Sequence, residues 1–329
     1  MNQSLNKIMP KWLHKWLRKV RAYFFLVKEE QYNNHRLLLF SSTFSNKKNT
    51  HLADLMVMTH VLEKGITMPE RRLGFGQPRV RDILKYCDAI IKQWGSNSIE
   101  VQTTLADLKQ YLEIHKNEGY LLPNDIITHI EKLLPLLTIH DGNCFQVTKQ
   151  EYFQPTQDFK SFAKSRHSIR WFSEVPVEND ILIAAIKLAQ TAPSACNRQA
   201  TRVKIIASEE GKRLCCSLQN GNRGFGDKAD KWILLTTEMG AWSHAHYNSG
   251  ILDAGAFLMN LLYALHYYGL VACPLNAHLT IQEKELLRKT LNYPESETPI
   301  AFVVVGNPTD AFMVPKSRRK ITEDIIQWV

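Results

Sequence analysis

The stretch "KSRHSIRWF", residues 164–172, places Lys164, Arg166 and Arg170 around a serine and then runs into two aromatic residues. Arginine forks and a lysine point charge are well matched to a phosphate dianion. The aromatic pair marks the beginning of an apolar segment. The stretch therefore predicts an anion site at the start of a folded domain.

On the C-terminal side of this stretch, helical patterns alternate with short β-branched runs. The helical run "ILIAAIKLAQ" (181–190) is followed by "RVKIIAS" (202–208), "KWILLTTE" (231–238), "LVACPL" (270–275) and "IAFVVVGNP" (300–308). This alternation predicts a sheet covered by helices. The long apolar run from Gly250 is predicted as a buried helix and not a membrane span, because Asp253, Asn260 and His266 interrupt it.

On the N-terminal side, apolar residues return every three or four positions in four segments. These are "HLADLMVMTHVLEKG" (51–65), "RVRDILKYCDAIIKQWG" (79–95), "IEVQTTLADLKQYLEIHKNEG" (99–119) and "NDIITHIEKLLPLL" (124–137). The periodicity stops at "TIHDGNCFQVTKQEYFQPTQ" (138–157), where we place a linker. A chain of 329 residues suits two domains. We therefore predict an all-α domain over residues 1–150 and a second domain over residues 151–329.

Several classes of site are not supported by the sequence. It has neither the dinucleotide fingerprint G-x-G-x-x-G nor the phosphate-binding pattern G-x-x-x-x-G-K-[ST]. His244 and His246 form an H-x-H pair, with His278 or Asp253 as further candidate ligands, but spacing fixes no third ligand and we predict no metal site. Six cysteines without a C-x-x-C pair favour a reducing compartment.

Three other stretches add polar groups to those of residues 164–172. "TAPSACNRQATRV" (191–203) predicts a rigid loop with neutral hydrogen-bonding groups, and "ACPLNAH" (272–278) predicts a strand end that turns. "VPKSRRK" (314–320) offers further cations. A ligand that needs cations at one end and amide-type partners at the other is a phosphate joined to a polar heterocycle.

At this point the residues resemble a known family. The segment from about Ser161 to Ile321 is similar to the nitroreductase family of FMN-dependent oxidoreductases. The resemblance rests on "RHSIRWF", "APSACNRQ", the apolar helix with its "CPL" turn, and "KSRR", in the family's order and spacing. It implies an α+β fold for residues 151–329, a nitroreductase-like mixed sheet flanked by helices.

The resemblance also implies a cofactor site. Its residues would be Arg166, His167, Ser168, Arg170, Pro193, Ser194, Asn197, Gln199, Pro274, Leu275, Asn276, Lys316 and Arg318. Arg166 and Ser168 would hold the FMN phosphate. Lys316 and Arg318 would close on it from the C-terminal segment. Arg170 would approach the pyrimidine edge of the flavin, where a cation stabilises the anionic reduced ring.

The remaining groups would surround the flavin ring. His167 would contribute through its backbone, and the loop 193–199 would line the ring and the ribityl chain. The backbone of Leu275 and Asn276 would lie near the flavin N5, and no side-chain acid is implied as catalytic. Many family members have small residues after the "CP" turn, whereas this chain has Leu275 to His278, so substrate access would differ.

The activity implied by the resemblance is a ping-pong hydride relay. NAD(P)H would reduce FMN and leave, and an oxidised acceptor would follow, either a nitro compound, a quinone or a biosynthetic intermediate. Two alternatives remain open. One is an FMN-dependent dehydrogenase or oxidase of a biosynthetic intermediate, and the other is a non-catalytic, membrane-associated flavin-binding or scaffold protein. The family also implies a homodimer through helix 250–268.

The N-terminal half lies outside the common family core. It resembles an extension found in a subgroup that also carries "GNRGFG" (221–226), sometimes associated with surface-polysaccharide or other biosynthetic functions, and we interpret it as a targeting, partner or lid domain. Residues 1–28 hold seven Lys/Arg and no acid, and residues 7–28 show helical amphipathicity. This basic helix would either lie on an anionic membrane surface or pack on its own domain or a partner subunit. A nucleic-acid partner is ranked below both. The expected location is the cytoplasm, with peripheral contact at the inner face of the membrane as the alternative.

Overall fold

The helical patterns of the first half fold around one apolar core. The computed structural model describes residues 10–40, 44, 46–139, 143–153, 158–241 and 248–329. The helices of the first half are α1 (Lys11–Phe40), α2 (Lys48–Ile66), α3 (Gln77–Trp94), α4 (Ile99–Asn117) and α5 (Asn124–Leu133). Leu55, Ile83, Leu105 and Tyr111 are fully buried between α2, α3 and α4. The four predicted helical segments are confirmed as α2 to α5.

The first helix differs from the other four. It begins at Lys11 and continues to Phe40, twelve residues beyond the predicted end at residue 28. Residues 7–9 of the predicted helix lie outside the described residues. Trp12 is 69% exposed and Trp16 is 55% exposed, so the described part of the chain does not cover them. These two side chains therefore do not pack on the described part of their own domain.

A four-stranded sheet forms the centre of the second half. Its strands are β2 (Thr201–Ile206), β3 (Lys231–Glu238), β4 (Val271–Asn276) and β5 (Glu297–Gly306), in the order β2-β3-β5-β4. The four predicted strand runs are confirmed, and so is the α+β class. Every described ladder of this sheet is antiparallel, so the parallel pair that a mixed sheet implies does not occur among the described residues. Because β2 and β3 are antiparallel neighbours, the segment that connects them stays at one end of the sheet, and the same holds for β4 and β5.

Helices cover both faces of this sheet. They are α8 (Asn179–Ala189), α9 (Glu209–Leu218), α10 (Ser249–Tyr267) and α11 (Ile281–Leu291). Ile233 and Leu235 pack with α8 and α10, whereas Trp232 and Leu234 pack on the side of α9 and α11. Because successive strand residues point to opposite faces, burial on both sides explains the unbroken apolar runs of β3 and β5.

A second ladder joins the two halves of the chain. The strand β1 (Cys144–Thr148) pairs with β6 (Ala311–Pro315) in antiparallel register, with Phe145 opposite Val314. This strand lies inside the segment predicted as a linker, and it leads into the short helix α6 (Lys149–Tyr152) and then α7 (Phe159–Ser165). The predicted boundary at residue 150 falls within α6. Cys144 and Met313 contribute to the core of the helical half.

The described helices do not include a membrane-crossing segment. None of them combines the length and the apolar run that a bilayer span requires.

Candidate functional site

The opening stretch folds as an extended segment beside the edge strand β4. It follows α7, and the backbone N–H of Ile169 donates to Ala272 O at 3.0 Å. Ile169 is fully buried, and Arg170 is only 6% exposed. Ile169 thus fixes the segment against the sheet, which leaves Arg170 buried and Arg166 half-buried beside β4.

Both arginines contain a buried nitrogen that has no hydrogen-bond partner among the described residues. These atoms are Nη1 of Arg166 and Nε of Arg170. A buried guanidinium N–H without an acceptor destabilises the folded protein, because it has lost its hydrogen bond to water and gained no other. An anion or a set of carbonyl oxygens at this position would satisfy both groups.

The helical half adds a third cation to this place. Lys64, near the end of α2, lies 5.7 Å from the centre of the Phe225 ring, and the Arg170 guanidinium lies at the same distance from that ring. Burial lowers the pKa of Lys64, and the positive charge of Arg170 lowers it further. We call Lys64, Arg166 and Arg170 the cation cluster.

A buried thiol lies within the cation cluster. Burial raises the pKa of Cys273, while the positive charges of Arg170, Lys64 and Arg166 partly offset the effect. Cys273 is one residue before Pro274 on β4, so the cation cluster adjoins the predicted "CPL" turn. The structure thereby brings together two motifs that are about 100 residues apart in the chain.

The turn itself offers fewer backbone donors than the sequence indicates. Ala272 O and Asn276 O accept hydrogen bonds from Ile169 and from Gln219 Nε2, so these alternate residues face away from β5. Successive residues of a strand direct their N–H groups to alternate sides. Leu275, one position from Asn276, therefore directs its N–H towards β5. Pro274 faces outward but has no N–H. Of the predicted pair Leu275 and Asn276, only Asn276 directs its N–H away from the sheet.

The histidine of the opening stretch is bonded to the protein. The N–H of His167 donates to Tyr152 Oη at 2.7 Å, and its Nδ1 lies 2.7 Å from Ser165 O. Burial lowers the pKa of His167, which keeps the ring neutral near pH 7. The backbone donor that the resemblance assigned to FMN is therefore engaged by Tyr152. Ser168 is half-buried between the two arginines.

The C-terminal cations contact the helical half. Arg318 Nε donates to Asn143 Oδ1 at 2.5 Å, and the N–H of Lys316 donates to Asn143 O at 2.7 Å. The N–H of Ser317 donates to Glu63 Oε1 at 3.2 Å. Asn143 is fully buried and also donates to Asp107 Oδ1 at 2.8 Å. The predicted phosphate ligands Lys316 and Arg318 thus belong to a segment that is held by the helical half.

The loop 193–199 forms a separate group. The N–H of Ala195 donates to Asp253 on α10 at 3.0 Å, and the N–H of Gln199 donates to Ser194 Oγ at 3.0 Å. Pro193, Ser194 and Gln199 line a cavity of about 380 Å³ next to Asp253. Asn197 ends a short 3₁₀ turn in this loop. The acid inside the apolar helix therefore anchors the loop.

The two groups lie at opposite ends of α10. His266 Nε2 lies 2.8 Å from Ser165 Oγ, just before Arg166, whereas Asp253 holds the loop 193–199. Thirteen residues of helix separate these positions, which corresponds to about 20 Å. Within one copy, opposite ends of α10 therefore hold the residue before Arg166 and the loop 193–199.

Comparison with known proteins identifies the second half of the chain. The sequence model described as the nitroreductase family matches residues 163–234 and 208–307. We call residues 163–307, which match this family model, the nitroreductase domain.

Two curated relatives match about half of the chain. Iodotyrosine deiodinase from Haliscomenobacter hydrossis is 24% identical over 204 residues, which cover 53% of this chain and 90% of the relative. Iodotyrosine deiodinase 1 from Rattus norvegicus is 27% identical over 214 residues, which cover 55% of this chain and 73% of the relative.

Two solved structures from bacteria are similar to about half of the chain. One is described as an NADH dehydrogenase/NAD(P)H nitroreductase from Parabacteroides distasonis, with 22% identity, a TM-score of 0.46, and coverage of 51% of this chain and 96% of that one. The other is described as a nitroreductase in complex with FMN from Exiguobacterium sibiricum, with 20% identity, a TM-score of 0.47, and coverage of 54% and 100%.

Two residues of the candidate site, Lys64 and His266, were not predicted from the sequence. Lys64 was missed because it lies in the other half of the chain, and His266 because it was interpreted as an interruption of an apolar helix. Burial lowers the pKa of His266 to about 4, and Arg166 contributes to the shift. Among the described residues, no cluster of His, Cys, Asp or Glu could hold a metal ion. His244 and His246 lie outside the described residues.

The "GNRGFG" loop contacts the helical half directly. Lys64 Nζ donates to Gly221 O at 2.9 Å, and a side chain at Gly224, whose φ is +81°, would meet Met68. Trp171 Nε1 donates to Thr67 O at 2.7 Å. The end of α2, which carries Lys64, therefore contacts the "GNRGFG" loop and Trp171.

Proposed function

We propose that the chain is an FMN-dependent oxidoreductase and that Arg166 and Arg170 hold the cofactor. The observation that carries the proposal is the pair of buried guanidinium nitrogens without a partner among the described residues. FMN fits these groups, because its phosphate accepts charge-assisted hydrogen bonds and its ring edge carries carbonyl oxygens. When bound, FMN would supply hydride transfer from NAD(P)H to an oxidised organic acceptor.

The residues of the chain would then act through charge and through exclusion of water. A buried cation such as Arg170 favours negative charge on a nearby group more strongly than an exposed cation does. The Phe225 ring lies 5.7 Å from both Arg170 and Lys64, and Arg170 is only 6% exposed. Together they would favour the reduced, more negative form of a bound flavin. No side chain near the cation cluster is required as a catalytic acid, since solvent can deliver the proton.

We also propose that the complete site needs a second copy of the chain. On one copy, the α10 residues that contact Ser165 and the loop 193–199 lie about 20 Å apart along the helix. A face of α10 is available for pairing, because Ile251 is 55% exposed and Leu252 is 74% exposed. A two-fold dimer through this face would bring the loop of one copy to the cation cluster of the other.

The proposed reaction is tested by anaerobic reduction of the purified protein. We expect a flavin absorption spectrum that bleaches on addition of NADH or NADPH and returns when a quinone or nitroaromatic compound is added. A bound flavin that neither nucleotide reduces would contradict NAD(P)H as the donor and favour the dehydrogenase alternative. Colourless protein that gains no flavin from added FMN would contradict the proposed function itself.

Reductive removal of halogen from an aromatic substrate is a second candidate. Both curated relatives are iodotyrosine deiodinases, and each match covers more than half of this chain. In that reaction two electrons and a proton convert a C–I bond into C–H and release iodide. Iodide measured after mixing the reduced protein with 3-iodotyrosine under anaerobic conditions would support this candidate, and its absence would leave a quinone or nitro acceptor as the better description.

A further inference from the structure

The outer surface of α1 exposes several large aromatic side chains. Trp12, Trp16, Tyr23 and Phe24 are 69%, 55%, 64% and 59% exposed. Scattered single apolar residues are ordinary on a protein surface, but a group of this size on one helix marks an interaction site. We call the surface of residues 11–27 the α1 patch.

Helical geometry sorts the α1 patch into two faces. With 3.6 residues per turn, Trp12, Trp16 and Tyr23 point to the same side of the helix, together with Val20 and Val27. The opposite side carries Lys11 and Arg18, and Lys15 and Lys19 lie along the border between the two sides. An apolar face opposite a basic face is the pattern of helices that lie in the interfacial plane of a bilayer.

The basic face is available to an external partner. Lys11, Lys15, Arg18 and Lys19 are exposed, and none of them makes an ion pair with a described residue. No acid occurs among residues 1–28 to neutralise them. Such a group of cations attracts an anionic surface and repels a second copy of itself.

We propose that α1 docks the protein onto the surface of an anionic lipid bilayer. Indole rings favour the headgroup level of a membrane, and Lys/Arg meet the lipid charge. A nucleic acid would match the basic face but would leave the aromatic face in water. A second copy would cover the aromatic face but would bring two basic faces together. Only the lipid surface matches both faces at once.

The test is vesicle flotation of the full-length protein. We expect binding to vesicles made from equal amounts of phosphatidylcholine and phosphatidylglycerol, and little binding to phosphatidylcholine alone. Trp12→Ala/Trp16→Ala and Lys11→Gln/Lys15→Gln/Lys19→Gln should each weaken binding at least about tenfold. Matched controls are Trp328→Ala, which removes a tryptophan that is 94% exposed, and Lys284→Gln/Lys289→Gln on α11.

Several results would overturn the proposal. They are the absence of flotation with either kind of vesicle, binding that neither α1 variant weakens, and equal binding to neutral and anionic vesicles. Tight binding to duplex DNA without vesicle binding would assign the basic face to nucleic acid instead. Because the readout is independent of flavin, its failure would leave the proposed oxidoreductase function untouched.

Discussion

Arg318 Nε donates to Asn143 Oδ1 across 2.5 Å, and this bond joins the C-terminal segment to the helical half of the chain. Asn143 also donates to Asp107 Oδ1 and to Thr103 O, at 2.8 and 2.9 Å. Burial and the nearby charge of Glu63 raise the pKa of Asp107 well above its usual range. The helical half therefore holds the segment that carries Lys316 and Arg318, and its position controls where these cations lie.

Replacing Asn143 should destabilise the fold. Asn143→Ala would remove a fully buried side chain that forms hydrogen bonds with both Asp107 and Arg318. We therefore expect the free energy of unfolding to fall by about 2–3 kcal/mol. Urea denaturation measures this value. Asn97→Ala, at an exposed position, is the control and should change the free energy by less than about 0.5 kcal/mol. Equal effects of the two variants would contradict the anchoring role.

Variants of the cation cluster should separate its contributions to flavin binding. Arg166→Met should weaken FMN binding about tenfold or more while changing riboflavin binding little, because it removes a phosphate partner. Arg170→Met and Lys64→Met should weaken both flavins. Fluorescence titration of cofactor-free protein measures all of these affinities. Lys289→Met on α11 is the control for removal of a lysine, and an effect as large as that of Lys64→Met would count against a local role.

His266 should make stability depend on pH. Its pKa in the folded protein is about 4, below the usual value near 6.5, so the unfolded chain binds more protons between these limits. Stability should therefore fall as pH decreases from about 6.5 towards 4. At pH 5 the contribution reaches about 2 kcal/mol. His266→Gln cannot titrate in this range and should show a shallower decline in urea denaturation between pH 7 and pH 5.

A matched histidine variant controls for changes elsewhere in the protein. His278→Gln, at an exposed position after β4, should retain the decline of the parent chain. If His266→Gln retained the same decline, the pH dependence would have to come from other groups.

The exposed face of α10 should control assembly. The Leu252 side chain is 74% exposed in one copy. Leu252→Glu would place a charge at the proposed apolar interface, and we expect it to convert a dimer into monomers. Light scattering coupled to size-exclusion chromatography measures the mass. Leu286→Glu on α11, where the leucine is 49% exposed, is the matched control and should leave the dimer intact. A parent protein that is already monomeric would contradict the two-copy site.

The elements that could be predicted from the sequence are those whose signal is local. The helices α2 to α5 and the strands β2 to β5 each follow from a run of apolar residues with a recognisable period. The strand β1 was not predicted, because its five residues are stabilised by a partner strand more than 160 positions away. No property of "CFQVT" alone indicates that partner.

The candidate site divides in the same way. The cations of residues 164–170 and the polar loop 193–199 were identified from motifs, since each motif is contiguous. Two features could not be predicted: that these two motifs contact opposite ends of α10, and that Lys64 of the helical half lies beside Arg170. Both depend on tertiary packing, which produces no local sequence pattern. The same reason explains why Leu275 was expected to offer its N–H, although the strand parity of β4 directs that group towards β5.

FMN is proposed to bind at the buried guanidinium nitrogens of Arg166 and Arg170. The most direct measurement is a titration of cofactor-free, full-length protein with FMN and with riboflavin, followed by quenching of flavin fluorescence. We predict saturation at one FMN per chain and at least about tenfold weaker binding of riboflavin, because the phosphate supplies the charged acceptor. Absence of FMN binding, or equal affinities for the two flavins, would contradict the proposal that these arginines hold FMN.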